Sequence, residues 1–279
     1  MTVGYQGEEG AYSEEALYRL FPEATPQPFP AFEDVFDALQ DGAIRRAVIP
    51  IENSLFGSVH INYDLLRDHA VHIVGEGNLA IRHHLMATPG ASLEEIRHVH
   101  SHPQALGQCR VFLRERLNAA RPVPAHDTAG AARLVAERGD TGHAAIASKR
   151  AAETYGLQIL ASGVESNMHN QTRFLVLAQG HFEEAMDAEP GRAKTSLVYA
   201  LRENVPGALF KTLAVFALRE IDLLKVESRP LIGEPGRYLF YVDVAGSVSA
   251  PPLSRSVEHL QELTSELRIL GSYPAGERL

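Results

Sequence analysis

The stretch N-M-H-N-Q-T-R-F-L-V-L, residues 167–177, joins two contrasting kinds of sequence. Its second half, Phe174–Leu177, is continuously apolar, and a short apolar run of this kind predicts a strand buried in a sheet. Its first half carries amides, a histidine, a hydroxyl and an arginine. Because neighbours along a strand point to opposite faces, Thr172 and Arg173 are predicted to serve different roles. The stretch predicts a polar site held rigidly at the entrance of a core strand, with Asn170 as a turn former.

The first 180 residues alternate between strand-like and helix-like segments. Apolar runs predict extended segments at Thr2–Tyr5, Ala47–Ile51, Val71–Gly75, Leu79–Ala87 and Ala144–Ala147. Helical periodicity and capping residues predict helices over about Ser13–Phe21, Ser58–His69, Asp127–Arg138 and Ser148–Gly156, and another from about Ser101. This alternation favours an α/β fold with largely parallel strands.

A change of rhythm follows the polar, acidic segment 182–193, which contains Pro190-Gly191 and is typical of a linker. Beyond it, strands are predicted at Thr195–Leu201, Asp222–Arg229, Arg237–Val244 and Arg268–Tyr273, with helices at Pro206–Arg219 and Ser254–Leu267. The order βαββαβ is that of a ferredoxin-like domain. We therefore predict one domain over 1–181 and a smaller one over 194–279.

Composition limits the classes of protein that fit. The 279 residues are 45% hydrophobic, which is enough for a sizeable core, and the net charge of −9 argues against a nucleic-acid partner. The sequence shows no apolar run of membrane-spanning length and no signal-peptide pattern. Cys109, the single cysteine, cannot form an intramolecular disulfide. These features predict a cytoplasmic protein that does not bind membranes.

A histidine-rich segment, R-H-V-H-S-H-P, suggests a metal site that the sequence does not otherwise support. His98, His100 and His102 would share one face of a strand and could hold a metal ion there. However, no Asp, Glu or Cys stands beside them at ligand spacing, and the helix predicted from about Ser101 would break the shared face. We predict no metal site and keep a metal-dependent hydrolase as an alternative.

Polar residues follow two further predicted strands or begin helices. Glu52, Asn53 and Ser54 follow the apolar run 47–51, where open α/β sheets bind ligands. Ser101 and Gln104 fit a capping box, and a capped helix N-terminus offers free N–H groups to an anion. Together with residues 167–173, these loops predict a cleft for a carboxylate ligand, although each loop taken alone is equally typical of an ordinary cap or turn.

Taken in order, these motifs resemble the prephenate dehydratase family. The matching segments are G-E-E-G-A-Y-S (7–13), P-I-E-N-S-L-F-G-S-V (50–59), S-H-P-Q-A-L-G-Q-C (101–109), D-T-A-G-A-A (127–132), A-A-I-A-S (144–148) and N-Q-T-R-F-L-V-L (170–177). N-V-P-G-A-L (204–209) and E-S-R-P (227–230) resemble the phenylalanine-binding motifs of the family's ACT regulatory domain. No mutase-like or dehydrogenase-like extension is present, so the chain resembles the monofunctional form.

The resemblance implies a carbon–oxygen lyase that converts prephenate to phenylpyruvate, CO2 and water in phenylalanine biosynthesis, without a cofactor. It implies a catalytic domain of two α/β lobes around a cleft, similar to type II periplasmic binding proteins, followed by the ACT domain. It also implies a homodimer or homotetramer with allosteric feedback by L-phenylalanine.

The resemblance further implies which residues act. The family's functional residues fall on Asn53, Gln108 and Thr172, and Ser101 and Glu52 are catalytic candidates from the same motifs. Ser13, Ser54 and Arg173 are substrate-binding candidates, although Arg173 could instead pair with a neighbouring acid. Glu52 or His169 could relay a proton to Thr172. The implied phenylalanine-binding residues are Asn204, Pro206, Gly207, Ala208, Leu209, Glu227, Ser228 and Arg229.

A protein of another class would explain part of this pattern. A two-lobed amino-acid sensor without catalysis would also have a cleft and an ACT-like domain. It would not explain why Thr172 stands beside two other polar loops. The sequence therefore favours the enzyme.

Overall fold

The computed structural model describes residues 1–180, 192–231 and 233–279. The predicted linker 182–193 therefore lies largely outside the described residues. In the described ranges the helices are α1 (Tyr12–Leu20), α2 (Phe32–Gln40), α3 (His60–Asp68), α4 (Pro103–Gln108), α5 (Arg110–Arg116), α6 (Thr128–Arg138), α7 (Lys149–Tyr155), α8 (Ala208–Ala217) and α9 (Pro251–Leu263).

The strands belong to three sheets. The first ten are β1 (Thr2–Gln6), β2 (Thr25–Phe29), β3 (Arg46–Asn53), β4 (Gly57–Ser58), β5 (Val71–Ala80), β6 (His84–Ala87), β7 (His98–Ser101), β8 (Arg121–Pro124), β9 (His143–Ala147) and β10 (Gln158–Ser162). The remainder are β11 (Gln171–Gln179), β12 (Ala193–Leu201), β13 (Leu223–Pro230), β14 (Tyr238–Ala245) and β15 (Thr264–Pro274).

The first sheet has the order β2-β1-β3-β11-β5, with β4 paired to β3. Strands β1, β2 and β3 are parallel, whereas β11 runs antiparallel to both β3 and β5. The apolar run Phe174–Leu177 lies within β11 and is buried, which confirms the prediction of a core strand. The polar residues that precede it are therefore attached to the middle of a sheet.

The second sheet has the order β10-β6-β9-β7-β8 and is flanked by α4, α6 and α7. The chain passes from the first sheet to the second through residues 81–83 and returns through residues 163–170. These two crossings, together with the loop after β3, place polar residues between the two sheets. The two-lobed arrangement is the one that the family resemblance implies.

The third sheet has the order β13-β14-β12-β15 and carries α8 and α9 in the chain order βαββαβ, as predicted. One face of this sheet packs against its own two helices. The opposite face shares a hydrophobic core with the first sheet, where Val198, Tyr241 and Tyr273 pack with Ile49 and Leu175. The third sheet is therefore joined to the first through an extensive apolar interface.

Several predicted boundaries differ from the structure. The helix expected from Ser58 begins at His60, because Ser58 lies in β4 and pairs with Glu52. The helix expected from Ser101 begins at Pro103 with His102 as its N-cap, because Ser101 ends strand β7. Sequence patterns also miss β2, T-P-Q-P-F, whose two prolines are tolerated because it is an edge strand.

No helix in the described ranges has both the length and the apolar character needed to cross a membrane. Among the same residues, no group of three or more His, Cys, Asp or Glu side chains could hold a metal ion. His98 stacks on His143, His100 Nε2 lies 2.8 Å from His143 Nδ1, and His102 caps α4. The three histidines therefore do not form the shared face that a metal-dependent hydrolase would need.

Candidate active site

A cleft of about 270 Å³ lies between the first and second sheets. It is lined by four of the residues that the sequence singles out, namely Ser13, Asn53, Gln108 and Thr172. Glu52, Ser54, Ser101 and Arg173 do not line it. The structure therefore separates the candidates into a group that faces the cleft and a group that lies behind it.

The register of β3 and β11 produces this separation. Thr172 lies opposite Asn53, and Arg173 lies opposite Glu52. Because side chains alternate between the faces of a sheet, one of these pairs points into the cleft and the other points towards the third sheet. Two adjacent residues on each strand thus belong to different environments.

The amide of Asn53 fixes the hydrogen-bonding role of Thr172. Asn53 Oδ1 accepts hydrogen bonds from the backbone N–H groups of Leu55 at 2.9 Å and Phe56 at 3.2 Å. Its Nδ2 donates to Thr172 Oγ1 at 2.9 Å and to Asn170 Oδ1 at 2.8 Å. Since Thr172 Oγ1 accepts from an amide that cannot accept in return, its own proton is free to be donated into the cleft.

The chain of hydrogen bonds continues across the cleft to the second lobe. Asn170 Nδ2 donates to Gln108 Oε1 at 3.0 Å, and the same oxygen has a short contact with His83 Nε2. Tyr12 Oη lies 2.8 Å from both His83 Nδ1 and the carbonyl oxygen of Arg82. We assign His83 as the Nε2–H tautomer because Gln108 Oε1 then accepts twice. The Gln108 Nε2 group is left as a second donor for the cleft.

His83 is held in its neutral form. Burial lowers the pKa of His83, and the hydrogen bond from its ring to Gln108 and the charge of Glu165 offset this only in part. The backbone N–H of His83 donates to Glu165 Oε2 at 2.9 Å, and Arg82 Nη1 donates to Glu165 Oε1 at 2.9 Å. In the neutral imidazole Nε2 donates and Nδ1 accepts, so the single Tyr12 proton lies between His83 Nδ1 and the carbonyl oxygen of Arg82.

The charge of the cleft is unusual for an anion site. Among the residues that line it, Asp127 is the carboxylate and none is Lys or Arg. Asp127 also caps α6, because its Oδ1 accepts from the backbone N–H of Gly130 at 2.7 Å. The first turns of α1 and α6 contribute Tyr12, Ser13 and Thr128 to the lining. Positive potential at this site comes from helix N-termini.

Arg173 lies behind the cleft in a cluster of buried charges. Its Nε donates to Glu76 Oε2 at 2.6 Å, and its Nη1 donates to Asp243 Oδ2 at 2.6 Å and lies 3.4 Å from Glu52 Oε1. Its Nη2 donates to Tyr273 Oη at 3.1 Å. Burial alone would lower the pKa of Arg173, but the charge of Asp243 and its neighbours raises it. Of the two roles open to Arg173, the geometry matches pairing with acids.

Three other predicted residues have structural contacts. Ser101 Oγ is buried and donates to the carbonyl oxygen of Ile146 at 2.6 Å, across from β7 to β9. Ser54 Oγ donates to the carbonyl oxygen of His169 at 2.8 Å and so joins the two polar loops. Glu52 pairs with Lys225 on the side away from the cleft. The geometry therefore gives Glu52 no place in a proton relay to Thr172.

Tyr12, His83, Asn170 and Asp127 line the cleft, although the sequence patterns predict no such role for their side chains. Asn170 is completely buried and bridges Asn53 to Gln108, so the expectation of a turn former is wrong. An amide placed directly before a core strand was the signal for Asn170, whereas no local pattern pointed to His83.

The residues expected to bind an effector also fall into two groups, one exposed and one in contact with other parts of the chain. Gly207 has φ +81° and caps α8, and Asn204 Nδ2 donates to the carbonyl oxygen of Gly236 at 2.8 Å. Ser228 is exposed, whereas Glu227 and Arg229 point inward and contact Ser58 and Asp64 of the lobe that contains the first sheet. Pro206 is exposed, and Ala208 and Leu209 pack partly against the core of the third sheet.

Two α/β lobes, a cleft with fixed hydrogen-bond donors and an appended βαββαβ domain define a class of protein that binds a small polar ligand between its lobes. The family model for prephenate dehydratase matches residues 3–181. The chain belongs to the prephenate dehydratase family, and its activity class is that of a dehydratase in phenylalanine biosynthesis.

Relatives extend the match to nearly the whole chain. Arogenate dehydratase/prephenate dehydratase 2 of Arabidopsis thaliana is 46% identical, over 98% of this chain and 73% of its own length. The prephenate dehydratase of Arthrobacter aurescens in complex with L-Phe superposes with a TM-score of 0.91 at 30% identity, over 98% of this chain and 90% of its own. GqqA, described as a quorum-quenching acylase, has the same TM-score at 36% identity over 99% and 98%.

The comparisons correct the prediction of a cytoplasmic protein. Three of the Arabidopsis thaliana relatives, 46%, 45% and 44% identical to this chain, are chloroplastic enzymes by name. The names of these relatives contradict the cytoplasmic prediction, which is therefore wrong. A single cysteine cannot form an intramolecular disulfide in any compartment, so its presence does not distinguish the cytoplasm from a plastid.

Proposed function

We propose that this chain catalyses the decarboxylating dehydration of prephenate to phenylpyruvate, CO2 and water. The observation that carries the proposal is the pair of donors, Thr172 Oγ–H and Gln108 Nε2, held at the cleft by Asn53, Asn170 and His83. Membership of the family supplies the reaction class. The geometry supplies groups suited to its difficult step.

Prephenate carries a ring carboxylate and a ring hydroxyl across a cyclohexadiene. The bond between the ring and the carboxylate breaks, its electrons form the last double bond of a benzene ring, and the C–O bond breaks at the opposite carbon. The departing oxygen takes up a proton to become water. Aromatisation drives the reaction, so the protein needs to supply orientation and stabilisation of the leaving oxygen.

Thr172 donates a hydrogen bond to the departing hydroxyl as negative charge develops on it. This bond strengthens in the transition state, and so it lowers the barrier without tightening substrate binding. An aliphatic hydroxyl is a weak acid, and the Asn53 amide beside it cannot pass on a proton. We therefore assign the final proton to solvent at the mouth of the cleft.

The absence of Lys and Arg from the cleft lining favours loss of the ring carboxylate. Apolar groups of Ile81, Phe174 and Val59 line the same space, and no Lys or Arg lies among the lining residues. A carboxylate that loses its charge as CO2 gains most where no fixed cation stabilises the charged form. The N-terminus of α1, which has no side-chain cap, remains for the side-chain carboxylate.

The direct test is to mix the purified protein with prephenate at neutral pH and to follow phenylpyruvate by its absorbance in alkali. We expect catalysed formation of phenylpyruvate that requires Thr172. A rate equal to that without protein would overturn the proposal for prephenate.

Arogenate is a second candidate substrate, favoured by the carboxylate of Asp127 in the cleft. In arogenate an ammonium group replaces the keto oxygen of the prephenate side chain, and Asp127 could pair with it. Several relatives are named arogenate dehydratases. Asp127→Asn should retain the helix cap and lower kcat/KM for arogenate more than for prephenate, if Asp127 binds the ammonium group. Equal effects on both substrates would remove this role.

Acyl hydrolysis, the activity named for GqqA, finds less support in the geometry. A hydroxyl nucleophile needs a base within hydrogen-bonding distance. Thr172 Oγ1 is instead bonded to the amide nitrogen of Asn53, which cannot accept a proton. The same neighbour that suits Thr172 to donate a hydrogen bond leaves it without activation as a nucleophile.

We also infer that the third sheet binds L-phenylalanine and a second copy of the chain. Its outer surface exposes Phe210 on α8, Leu218 directly after α8, and Leu224 and Val226 on β13. The loop Asn204–Gly207 and Ser228 border this apolar surface, and the relative from Arthrobacter aurescens binds L-Phe. A homodimer or a homotetramer built on this surface would cover it.

Two measurements test this inference. Titration calorimetry should detect L-phenylalanine binding that Gly207→Ala weakens, because residue 207 needs a positive φ. Sedimentation should show an oligomer that Phe210→Glu disrupts. A monomeric wild-type chain, or no heat on addition of phenylalanine, would overturn it.

A further inference from the structure

Strand β13 of the third sheet presents alternate residues to the lobe that contains the first sheet. Lys225, Glu227 and Arg229 are half-buried, whereas Leu224, Val226 and Ser228 between them are exposed. This alternation is expected of an edge strand with one face against another lobe. The charged face of β13 therefore contacts the lobe that contains the first sheet.

Lys225 binds both ends of one active-site loop. Its Nζ pairs with Glu52 and lies 3.2 Å from Ser58 Oγ, and Ser58 Oγ donates to Glu227 Oε2 at 2.7 Å. Glu52 and Ser58 are themselves partners where β3 pairs with β4. Lys225 and Glu227 thus contact the base of the loop at residues 53–57.

That loop forms one wall of the cleft. Asn53, which holds Thr172, and Phe56 both line the cleft, and the Phe56 N–H donates to Asn53 Oδ1. Gly57, with φ +78°, turns the chain back so that Ser58 reaches Glu52. A shift of Ser58 or Glu52 would therefore reach Asn53 directly along the backbone.

The contacts of Lys225 are more specific to this loop than those of Arg173. Arg173 divides its donors among Glu76, Asp243 and Tyr273, and Glu52 is its most distant partner at 3.4 Å. The Lys225 side chain is 15% exposed, so its pairing with Glu52 is only partly screened by water. Its ammonium also lies 5.6 Å from the centre of the Tyr63 ring, which helps to fix its position.

We propose that Lys225 is a positioning residue for the reaction, and that it holds the loop 53–58 in the geometry in which Asn53 presents Thr172 to the substrate. This proposal rests on the proposed dehydratase reaction. It assigns Glu52 to the same positioning role, as the anionic partner of Lys225, and makes docking of the third sheet a part of the active site.

The test compares Lys225→Met with the wild type in the full-length protein. Methionine keeps the length and apolar stem of the side chain and removes the ammonium group. We expect kcat to fall by about tenfold with KM changed by less than about threefold, because small misplacement of a catalytic group acts on the transition state. Lys225→Arg should restore most of kcat.

A readout independent of turnover accompanies the kinetics. Hydrogen exchange followed by mass spectrometry should be faster at the amides of residues 54–59 in Lys225→Met than in the wild type. Arg268→Met is the matched control, because Arg268 also bridges the lobes, through the carbonyl oxygens of Arg67, His69 and Val71, far from this loop. It should leave exchange at 54–59 and kcat unchanged.

A double-mutant cycle completes the experiment. In an Asn53→Ala background, Lys225→Met should have little further effect on kcat, because the amide that it positions is gone. Unchanged exchange at 54–59, an equal loss of kcat in the Asn53→Ala background, or an equal effect of Arg268→Met would each overturn the proposal. If wild-type turnover is absent but exchange responds as expected, the proposed reaction fails while the contact between Lys225 and the loop stands.

Discussion

The hydroxyl of Thr172 is the group that we expect to stabilise the leaving oxygen in this cleft. The Asn53 amide determines how this hydroxyl is hydrogen-bonded. Two backbone N–H groups donate to Asn53 Oδ1, so the amide nitrogen of Asn53 is turned towards Thr172. A threonine that accepts from an amide must donate elsewhere, and the cleft is the space it faces. The same logic leaves Gln108 with a free amide nitrogen.

Replacing Thr172 by Val removes the hydroxyl and keeps the shape of the side chain. We expect kcat to fall by about 10²–10³-fold, the usual cost of losing one donor to a developing oxyanion, with little change in KM. Thr172→Ser is the control and should retain most of the turnover. Steady-state kinetics with the preferred substrate measure both, and wild-type kcat in the valine variant would exclude this role for Thr172.

The neutral imidazole of His83 predicts the pH profile. Since burial lowers its pKa from the ordinary value of 6.5, His83 stays neutral at and above that pH and gains a proton only as the pH falls below it. Protonation places a positive charge beside the cleft, which stabilises the charged form of the ring carboxylate, so kcat should be flat above pH 6.5 and fall at lower pH.

His83→Gln tests the assignment, because a glutamine amide can donate to Gln108 without titrating. We expect kcat to be reduced by about tenfold or less and its fall at low pH to disappear. Thr172→Ser, which leaves His83 in place, should keep that fall. An unchanged profile in His83→Gln would assign the titration to another group.

At the scale of elements, the two faces of strand β11 have different functions, one at the cleft and one in a buried cluster of charges. Thr172 serves the cleft, whereas Arg173 joins β11 to β5 through Glu76 and to β14 through Asp243. Lys194 at the start of β12 also donates to Glu76 at 2.6 Å. Two cations therefore accompany the buried acids, and each cation is needed to offset the cost of burying them.

Arg173→Met should strongly destabilise the fold. Removing the cation leaves Glu76 and Asp243 with an uncompensated buried charge, and we expect the free energy of unfolding to fall by about 3–5 kcal/mol. The matched control is Arg133→Met, which breaks exposed pairs with Glu8 and Glu137 and should cost at most about 1 kcal/mol. Denaturant unfolding monitored by circular dichroism compares them, and equal losses would contradict the assignment.

At the scale of the whole molecule, the third sheet is both a neighbour and a structural support. Its inner face shares a core with the first sheet, in which Tyr63 packs edge-on against Tyr241 at 4.9 Å between ring centres. Tyr241 Oη donates to the carbonyl oxygen of Tyr63 at 3.0 Å. We retain the division into 1–181 and 194–279 as a proposal, with the two parts sharing one apolar interface.

A fragment of residues 1–180 should therefore behave poorly alone. Loss of the third sheet exposes apolar side chains such as Ile49, Ile73 and Leu175 and leaves Arg173 without Asp243. We expect the fragment to bind hydrophobic dyes, to aggregate and to lack activity at concentrations where the full chain is active. A soluble fragment with wild-type kcat would show that the third sheet supports neither the fold nor the site.

The sequence by itself determined the α/β class, the buried strand Phe174–Leu177, the βαββαβ arrangement and the opposite orientations of Thr172 and Arg173. These follow from periodicities of two and 3.6 residues, which act over short distances along the chain. Tertiary structure alone decided which distant groups meet. His83 reaches Gln108, Asn170 joins Asn53 to Gln108, and Lys225 reaches Glu52 across 173 residues, because the chain crosses twice between lobes and then docks a third sheet behind them. Hydrogen bonding and charge pairing depend on distance in space, and local sequence patterns do not show which residues far apart in the chain lie close together.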